Sequence, residues 1–420
     1  MIEILLNALR APEIRKKILF VAGMLVVFRL LSHVPVPGAD PTALAGFFKD
    51  NALFGLLDLF SGGGLARFSV VGLGLNPYIN ASIIMQLMSG VIPRLIELSR
   101  EGEYGRNKIN QYTRYLTVPL AALQSYAFLA LLNSQSVLKT TFDLASPETL
   151  VQIVILTTGS LLLMWIGELV TERGIGNGIS FIIFAGIIGR VPGAIQQFFA
   201  TPDLAVLLAF VAVGGAAVAA IIFITEGQRR IPVEYASRVR GNRVYQGGRT
   251  FLPLKVNQAG VIPIIFASSV LYFPTLVASV YHAGWFQTVV NNYLTNQRSL
   301  VYMSVFGILV VFFAYFYTAI AFNPVDTADS LRQYGGFIPG IRPGQPTSDY
   351  LNDVLVRITL PGSLFLAAIA LLPTIVLAVW VIQQFPFGGT SLLITVGVAL
   401  ETMKQLESQL LMRHYEGFLE

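Results

Sequence analysis

The chain has 420 residues, of which 54% are apolar and 12% charged, with a formal net charge of +5. That charged share is roughly half of what covers a soluble domain, so most of the surface must be solvated by lipid. The absence of cysteine excludes disulfides, thiol nucleophiles and thiolate metal sites, and the three histidines, His33, His282 and His414, lack metal-ligand spacing.

Residues 2–17 form a short amphipathic stretch in which Ile2, Leu5, Leu6 and Leu9 share a helix face, closed by Arg15-Lys16-Lys17. Such a stretch lies along a membrane surface or is a plain N-terminal extension; no cleavage signal is evident after the first apolar run. A bilayer core of roughly 30 Å takes about 20 residues of helix. That ruler predicts ten spans, near 18–34, 68–92, 116–136, 150–170, 177–193, 204–225, 257–275, 301–322, 356–381 and 388–411. Arg29 falls in the outer third of the first span, where its side chain can snorkel outward. Val256–Gln297 reads as one span plus an outer loop, and Ile358–Leu400 as two spans parted at Pro386, Gly388 and Gly389.

Ten spans divide into an N-terminal half, 18–193, and a C-terminal half, 194–411, between a 1–17 segment and a 412–420 tail. The second span of each half is the one interrupted by Gly and Pro: Ser61-Gly62-Gly63-Gly64 with Asn76-Pro77, and Gly260 with Pro263. Paired broken spans suggest an inverted repeat with its functional seam at those breaks; Gly and Pro are also simply common in membrane helices. With the N-terminus inside, the inner segments hold 21 of the 28 basic residues and the outer segments 5, so both termini are expected in the cytoplasm.

Three function classes compete: an ion-coupled transporter with inverted repeats, an intramembrane enzyme and a passive conduit. Coupled transporters place acids at mid-span, but Glu168 and Glu172 sit at an inner end beside Arg173, and Glu401 has no partner readable from sequence. No catalytic constellation stands out. An apolar conduit, closed by dewetting, fits best. Of the inner loops, 227–256 carries seven basic residues, including Arg238, Arg240 and Arg243, against the single acid Glu234. It suits an anionic partner such as RNA, acidic protein or lipid headgroups, or is only a positive-inside loop. The 323–353 loop is rich in Gly and Pro and looks like a docking surface, with Thr347 open to the inner solvent. Arg342 there is either a partner contact or one half of an ion pair with Asp326, Asp329, Asp349 or Asp353.

Several runs in order carry a wider resemblance: Val34-Pro-Val-Pro-Gly38, Phe60-Ser-Gly-Gly63, Asn76-Pro-Tyr-Ile-Asn-Ala-Ser82, Arg100-Glu-Gly-Glu103 with Gln111-Tyr-Thr-Arg114, and Thr171–Ser180. Leu252-Pro-Leu-Lys-Val-Asn257 with Gly260-Val-Ile-Pro263, Phe337–Gly344 and Gly388–Leu393 follow. With these, nearly the whole chain resembles the SecY family, the central subunits of bacterial protein-conducting channels. The resemblance implies an all-α membrane protein, not an enzyme and without cofactors, whose two inverted-repeat halves clasp an hourglass pore in the plasma membrane. It implies a pore ring of Ile79, Ile83, Ile183, Ile187, Ile265 and Ile394. A plug about Leu56–Phe68 would contain Phe60, Ser61, Gly62, Gly63, Gly64 and Leu65; by composition alone the same stretch reads as a flexible outer loop. A lateral gate between the second and seventh spans would set Ile84 against Phe273, with Gln86 and Asn257 as polar groups in the seam. Implied partners are SecE, SecG, the SecA ATPase, the ribosome with its RNA, signal peptides, unfolded polypeptide and lipid, with Arg238, Arg240, Arg243 and Arg342 meeting SecA or ribosome. The tip of the basic loop departs from the family pattern at Asn242-Arg243.

Overall fold

The computed structural model describes residues 11–40, 42–44, 58, 61–134, 137–138, 143, 146–189, 191–192, 196, 204–235, 238–240, 243–245, 248–280, 284–295, 299–379 and 389–416. Phe60, the 1–10 stretch, the boundary at 193/194 and the break at Pro386–Gly388 lie outside the described residues. The last helix continues past 411 to Glu416.

Helix ends follow local chemistry. α1 (Pro12–Leu31) opens on proline, whose missing N–H costs nothing in a first turn. α2 (Asn76–Val91) stops at Ile92, forced to extended backbone by Pro93; α3 (Pro93–Arg100) then leaves at 98° to it. The second span thus begins eight residues later than 68, after a run of turns, and ends in this bend. α4 is Glu103–Ser134. α5 (Pro147–Arg173) is capped by Ser146, whose hydroxyl accepts from the Thr149 amide at 3.3 Å. α6 (Gly178–Ile188) is capped by Asn177, whose side-chain oxygen accepts from the amides of Ile179 and Ser180.

α7 (Leu204–Glu226) leads to strands β1 (Gln228–Tyr235), β2 (Arg238–Arg240), β3 (Arg243–Tyr245) and β4 (Arg249–Lys255). α8 (Ile262–Val280) follows, and the expected outer loop contains α9 (Gly284–Val289) and a π-helical turn, Val290–Thr295, instead of irregular chain. The last elements are α10 (Leu300–Ala321), α11 (Pro324–Gln333), β5 (Gly336–Phe337), α12 (Gln345–Val379) and α13 (Gly389–Glu416).

By length and hydropathy, four described stretches are able to cross a membrane alone: Glu103–Ser134, Pro147–Arg173, Leu300–Gln333 and Gln345–Leu372, or five if α2 and α3 form one broken span. Helices also occupy the other predicted windows, but α6 has only 11 residues, and α1 carries Arg15, Lys16, Lys17 and Arg29. Gly178–Ile188, Val211–Glu226 and Ile262–Thr275 are apolar but short over the described residues.

α2 packs on α4, α4 on α5, and α5 on α1 and α6; α8 lies against α2, α4 and α10; α13 touches α6, α7 and α12. One continuous apolar cluster runs through this bundle. A smaller one, of Ala11, Ile14, Ile175 and Leu406, joins the start of α1 to the late turns of α13, where Lys17 Nζ donates to Gln409 Oε1 at 3.5 Å. The first and last described helices therefore meet at one end of the bundle.

Candidate functional site

The predicted ring residues stand on four helices: Ile79 and Ile83 on α2, Ile183 and Ile187 on α6, Ile265 on α8, and Ile394 on α13. Each i, i+4 pair shares a helix face. All six are between 0 and 6% exposed and belong to the same apolar cluster. Branched aliphatic side chains from four helices thus lie in the one buried apolar cluster that runs through the bundle.

Against α1 and α6 the chain turns tightly at residues 61–65. Ser61, Gly62, Gly63, Gly64 and Leu65 are all buried, and Leu65 joins the cluster that holds the ring. The turn is knitted internally: Ser61 Oγ donates to Asp58 Oδ1 at 3.2 Å, the Ala66 amide donates to the same oxygen at 2.7 Å, and the Leu65 amide donates to Ser61 Oγ at 2.9 Å. These residues form a packed element rather than a solvated loop. Gly62 has φ +68, and a Cβ there would sit 2.7 Å from Phe28 Cζ and 3.3 Å from Gly186 Cα, so the position admits only glycine. The segment closes at Phe68, a buried residue with φ +48, a conformation a bulky side chain adopts only when its surroundings impose it. Its carbonyl accepts from the Val36 amide at 2.7 Å, and its ring lies 6.3 Å from that of Phe128.

Arg29 does not snorkel. Its Nη1 donates to the Gly62 carbonyl at 2.8 Å and its Nη2 to the Gly189 carbonyl at 3.0 Å, so the guanidinium bridges the buried turn to the end of α6. The sequence signal was there, since a cation inside an apolar run is expected to have a specific partner.

At the seam between α2 and α8, Ile84 is 38% and Phe273 42% exposed on helices that pack together. Gln86 Nε2 donates to Ser82 Oγ at 3.3 Å and its Oε1 is buried without a partner; Asn257 Nδ2 donates to the Gly260 carbonyl at 3.1 Å. Among the described residues no hydrogen bond joins Gln86 to Asn257. Gln124 on α4, fully buried with both amide atoms unpaired, adds a polar group that sequence reading missed. Leaving such groups unpaired costs about 1–3 kcal/mol each.

The two inner loops are one structure. β1 pairs with β4 (Ile231 opposite Leu252) and, through Glu234–Phe337 and Tyr235–Gly336, with β5 of the second loop. Ile231, Val233 and Leu254 pack on Ile338, Leu351 and Leu355, giving this platform its own core. β2 and β3 pair as a ribbon with Arg240 opposite Arg243, so both flank its tip. Thr347 is buried, against expectation, because its hydroxyl donates to the Arg342 carbonyl at 2.8 Å and so fixes the turn that carries Arg342. Arg342 itself is exposed and makes no ion pair among the described residues. The acids Asp326, Asp349 and Asp353 engage Asn323, Gln345 and Arg357.

A cavity of about 410 Å³ is lined by Asn177, Lys255, Asn257, Tyr317, Leu393 and Glu401, so it lies where the end of β4 meets α10 and α13. Glu168 pairs with Arg114 at 2.7 Å and Glu226 with Lys404 at 2.9 Å, so these acids tie helices together. Among the described residues no group of His and carboxylate side chains could hold a metal.

A helical membrane bundle of this fold belongs among the protein-conducting channels. Residues 69–403 match the sequence profile of the SecY family. A protein translocase subunit SecY of Mycobacterium bovis is 45% identical over 441 residues, covering 100% of both chains. Two solved structures share the fold at 17% identity, each covering 93% of this chain and 91% of its own: a SecY whose plug domain stabilises the closed state of the translocation channel and maintains a membrane seal, TM-score 0.64, and Sec61 in a canine ribosome-channel complex, TM-score 0.60. The chain belongs to the SecY family. It is a transport channel subunit and not an enzyme.

Proposed function

We propose that this subunit forms, with ten spans in two inverted-repeat halves, the pore through which unfolded polypeptide crosses the bacterial plasma membrane. The observation that supports it is the burial of six isoleucines from four helices, drawn from both halves, in one apolar cluster that also takes in Leu65 of the turn at 61–65. A branched apolar collar yields to varied side chains and binds none strongly, and when empty it excludes water. The turn at 61–65 is the plug that seals the outer side at rest. Apolar signal and membrane segments leave through the α2–α8 seam, where Ile84 and Phe273 face lipid and Gln86 and Asn257 keep the closure weak.

The platform made by the two inner loops is the docking face, placed in the cytoplasm by the bias of basic residues, with both termini on that side. Arg238, Arg240 and Arg243 meet ribosomal RNA and Arg342 meets the SecA ATPase; the exposed, unpaired state of Arg342 supports this assignment over a structural ion pair. SecE and SecG complete the complex. The ion-coupled transporter is the weaker reading: Glu168 is committed to a pair with Arg114 between helices, and Glu401 is the one acid among the described residues in the wall of the cavity. The test is reconstitution with SecE and SecA: ATP must drive an unfolded precursor to a protease-protected position, and vesicles that take up ions but no precursor would refute the reading.

A further inference from the structure

The geometry points to Arg29 as the positioning residue that latches the plug shut, an inference resting on the reading of 61–65 as a plug. Two observations carry it independently. The first is the fork: one guanidinium donates to the Gly62 carbonyl in the plug and to the Gly189 carbonyl just past α6, the helix that bears Ile183 and Ile187. The second is the seat: Phe28, adjacent to Arg29, and Gly186, adjacent to Ile187, bound the space beside Gly62 so closely that no side chain fits.

The base of the lever is fixed as well. The Arg29 carbonyl accepts from Ser32 Oγ at 2.8 Å and lies 2.7 Å from His33 Nδ1, which satisfies an acceptor that the end of α1 would otherwise leave open. The choice of acceptors matters for reversibility. Both are neutral peptide carbonyls, the second at a helix C-terminus where a cation is favoured. A charge-assisted bond to a carbonyl holds the plug without creating a buried ion pair, and when the plug leaves, Arg29 still keeps the Gly189 partner. The planar fork is what lets one side chain hold two elements, and lysine cannot reproduce both bonds from a single point.

The chain has no cysteine, so a single one reports cleanly. Ser61→Cys is nearly isosteric at a buried plug position, and Ser160→Cys, buried on α5, controls for general loosening. The full complex is reconstituted with its outer face toward the medium and treated with a membrane-impermeant maleimide. Arg29→Gln should speed labelling of Ser61→Cys by about tenfold, the loss of one charged hydrogen bond, leave Ser160→Cys unchanged, and raise resting ion conductance. Arg29→Lys should fall between parent and Arg29→Gln. Parental labelling in both variants overturns the latch, as does an equal rise at Ser160→Cys, which would mean that Arg29 holds the fold in general. Deleting residues 61–65 tests the underlying reading separately. A deletion that adds no conductance removes plug and latch together, whereas added conductance with parental labelling in Arg29→Gln removes the latch alone.

Discussion

Ile394 and Ile265 are 1% and 6% exposed within the apolar cluster, so an amide there replaces apolar packing with a buried polar group. Ile394→Asn or Ile265→Asn should weaken the dry closed state by about 1–3 kcal/mol. The expected readouts are higher resting ion conductance in vesicles and better export of precursors with defective signals; parental values in both assays would contradict the collar. Arg342 offers a different test. Arg342→Lys keeps charge but loses bidentate pairing, so SecA ATPase stimulation should fall partly, and Arg342→Glu should abolish it. Assembly with SecE and ribosome-driven insertion should survive in both, because the Arg342 side chain is exposed and makes no ion pair among the described residues. Loss of assembly would assign it a structural role. Residue identities of this sort were only partly legible. Nothing in periodicity separates Ile183 from the many lipid-facing isoleucines, and only the family resemblance singled it out. Arg29 was visible as a charge but not as a bridge, since Gly62 and Gly189 lie 33 and 160 positions away.

Among elements, the pairing of α2 with α8 makes a direct prediction. Ile84→Cys with Phe273→Cys should form a disulfide on oxidation, given the roughly 7 Å Cα limit for such a bond. Cross-linked channels should fail to release membrane segments into lipid and recover on reduction; release that continues through the cross-link would exclude this seam. Helix positions were largely readable because apolar runs and their Pro, Ser and Asn punctuation are local signals: Ser146 and Asn177 cap the helices they precede. The strand pairing was not readable. β5 is two residues long, Gly336–Phe337, and its partner lies about a hundred positions upstream, so only tertiary packing on Ile338 and Leu351 makes it a strand. The same packing buries Thr347, which loop composition alone had placed in solvent.

For the whole molecule, topology is testable with the same cysteine-free background. Ser134→Cys, exposed at the end of α4, should label only from outside the cell, and Gln345→Cys, exposed at the start of α12, only from the cytoplasm. Labelling of both from one side would break the ten-span map. Charge bias is the long-range signal behind the expected orientation, and α1 and α13 meet at Ile14 and Leu406. Span number was carried less well by the structure's own helices. α6 is too short and α1 too charged to cross by themselves, so membrane insertion of these segments depends on the neighbours they pack against.

The three-stranded sheet that unites the inner loops has a mechanical consequence. Because β5 is stitched to β1, a load applied at the arginine ribbon or at Arg342 cannot be absorbed by one loop bending away from the other. The nearest compliant joint lies beyond β4, in the six residues between Lys255 and Ile262 that precede α8. There the Val256 carbonyl abuts Gly362 of α12 so closely that no side chain could intervene, giving that joint a fulcrum. If that joint turns, a push on the sheet would rotate α8 against α12. That helix carries both Ile265 of the collar and Phe273 of the seam, so one torque would widen the throat and part the wall in the same stroke.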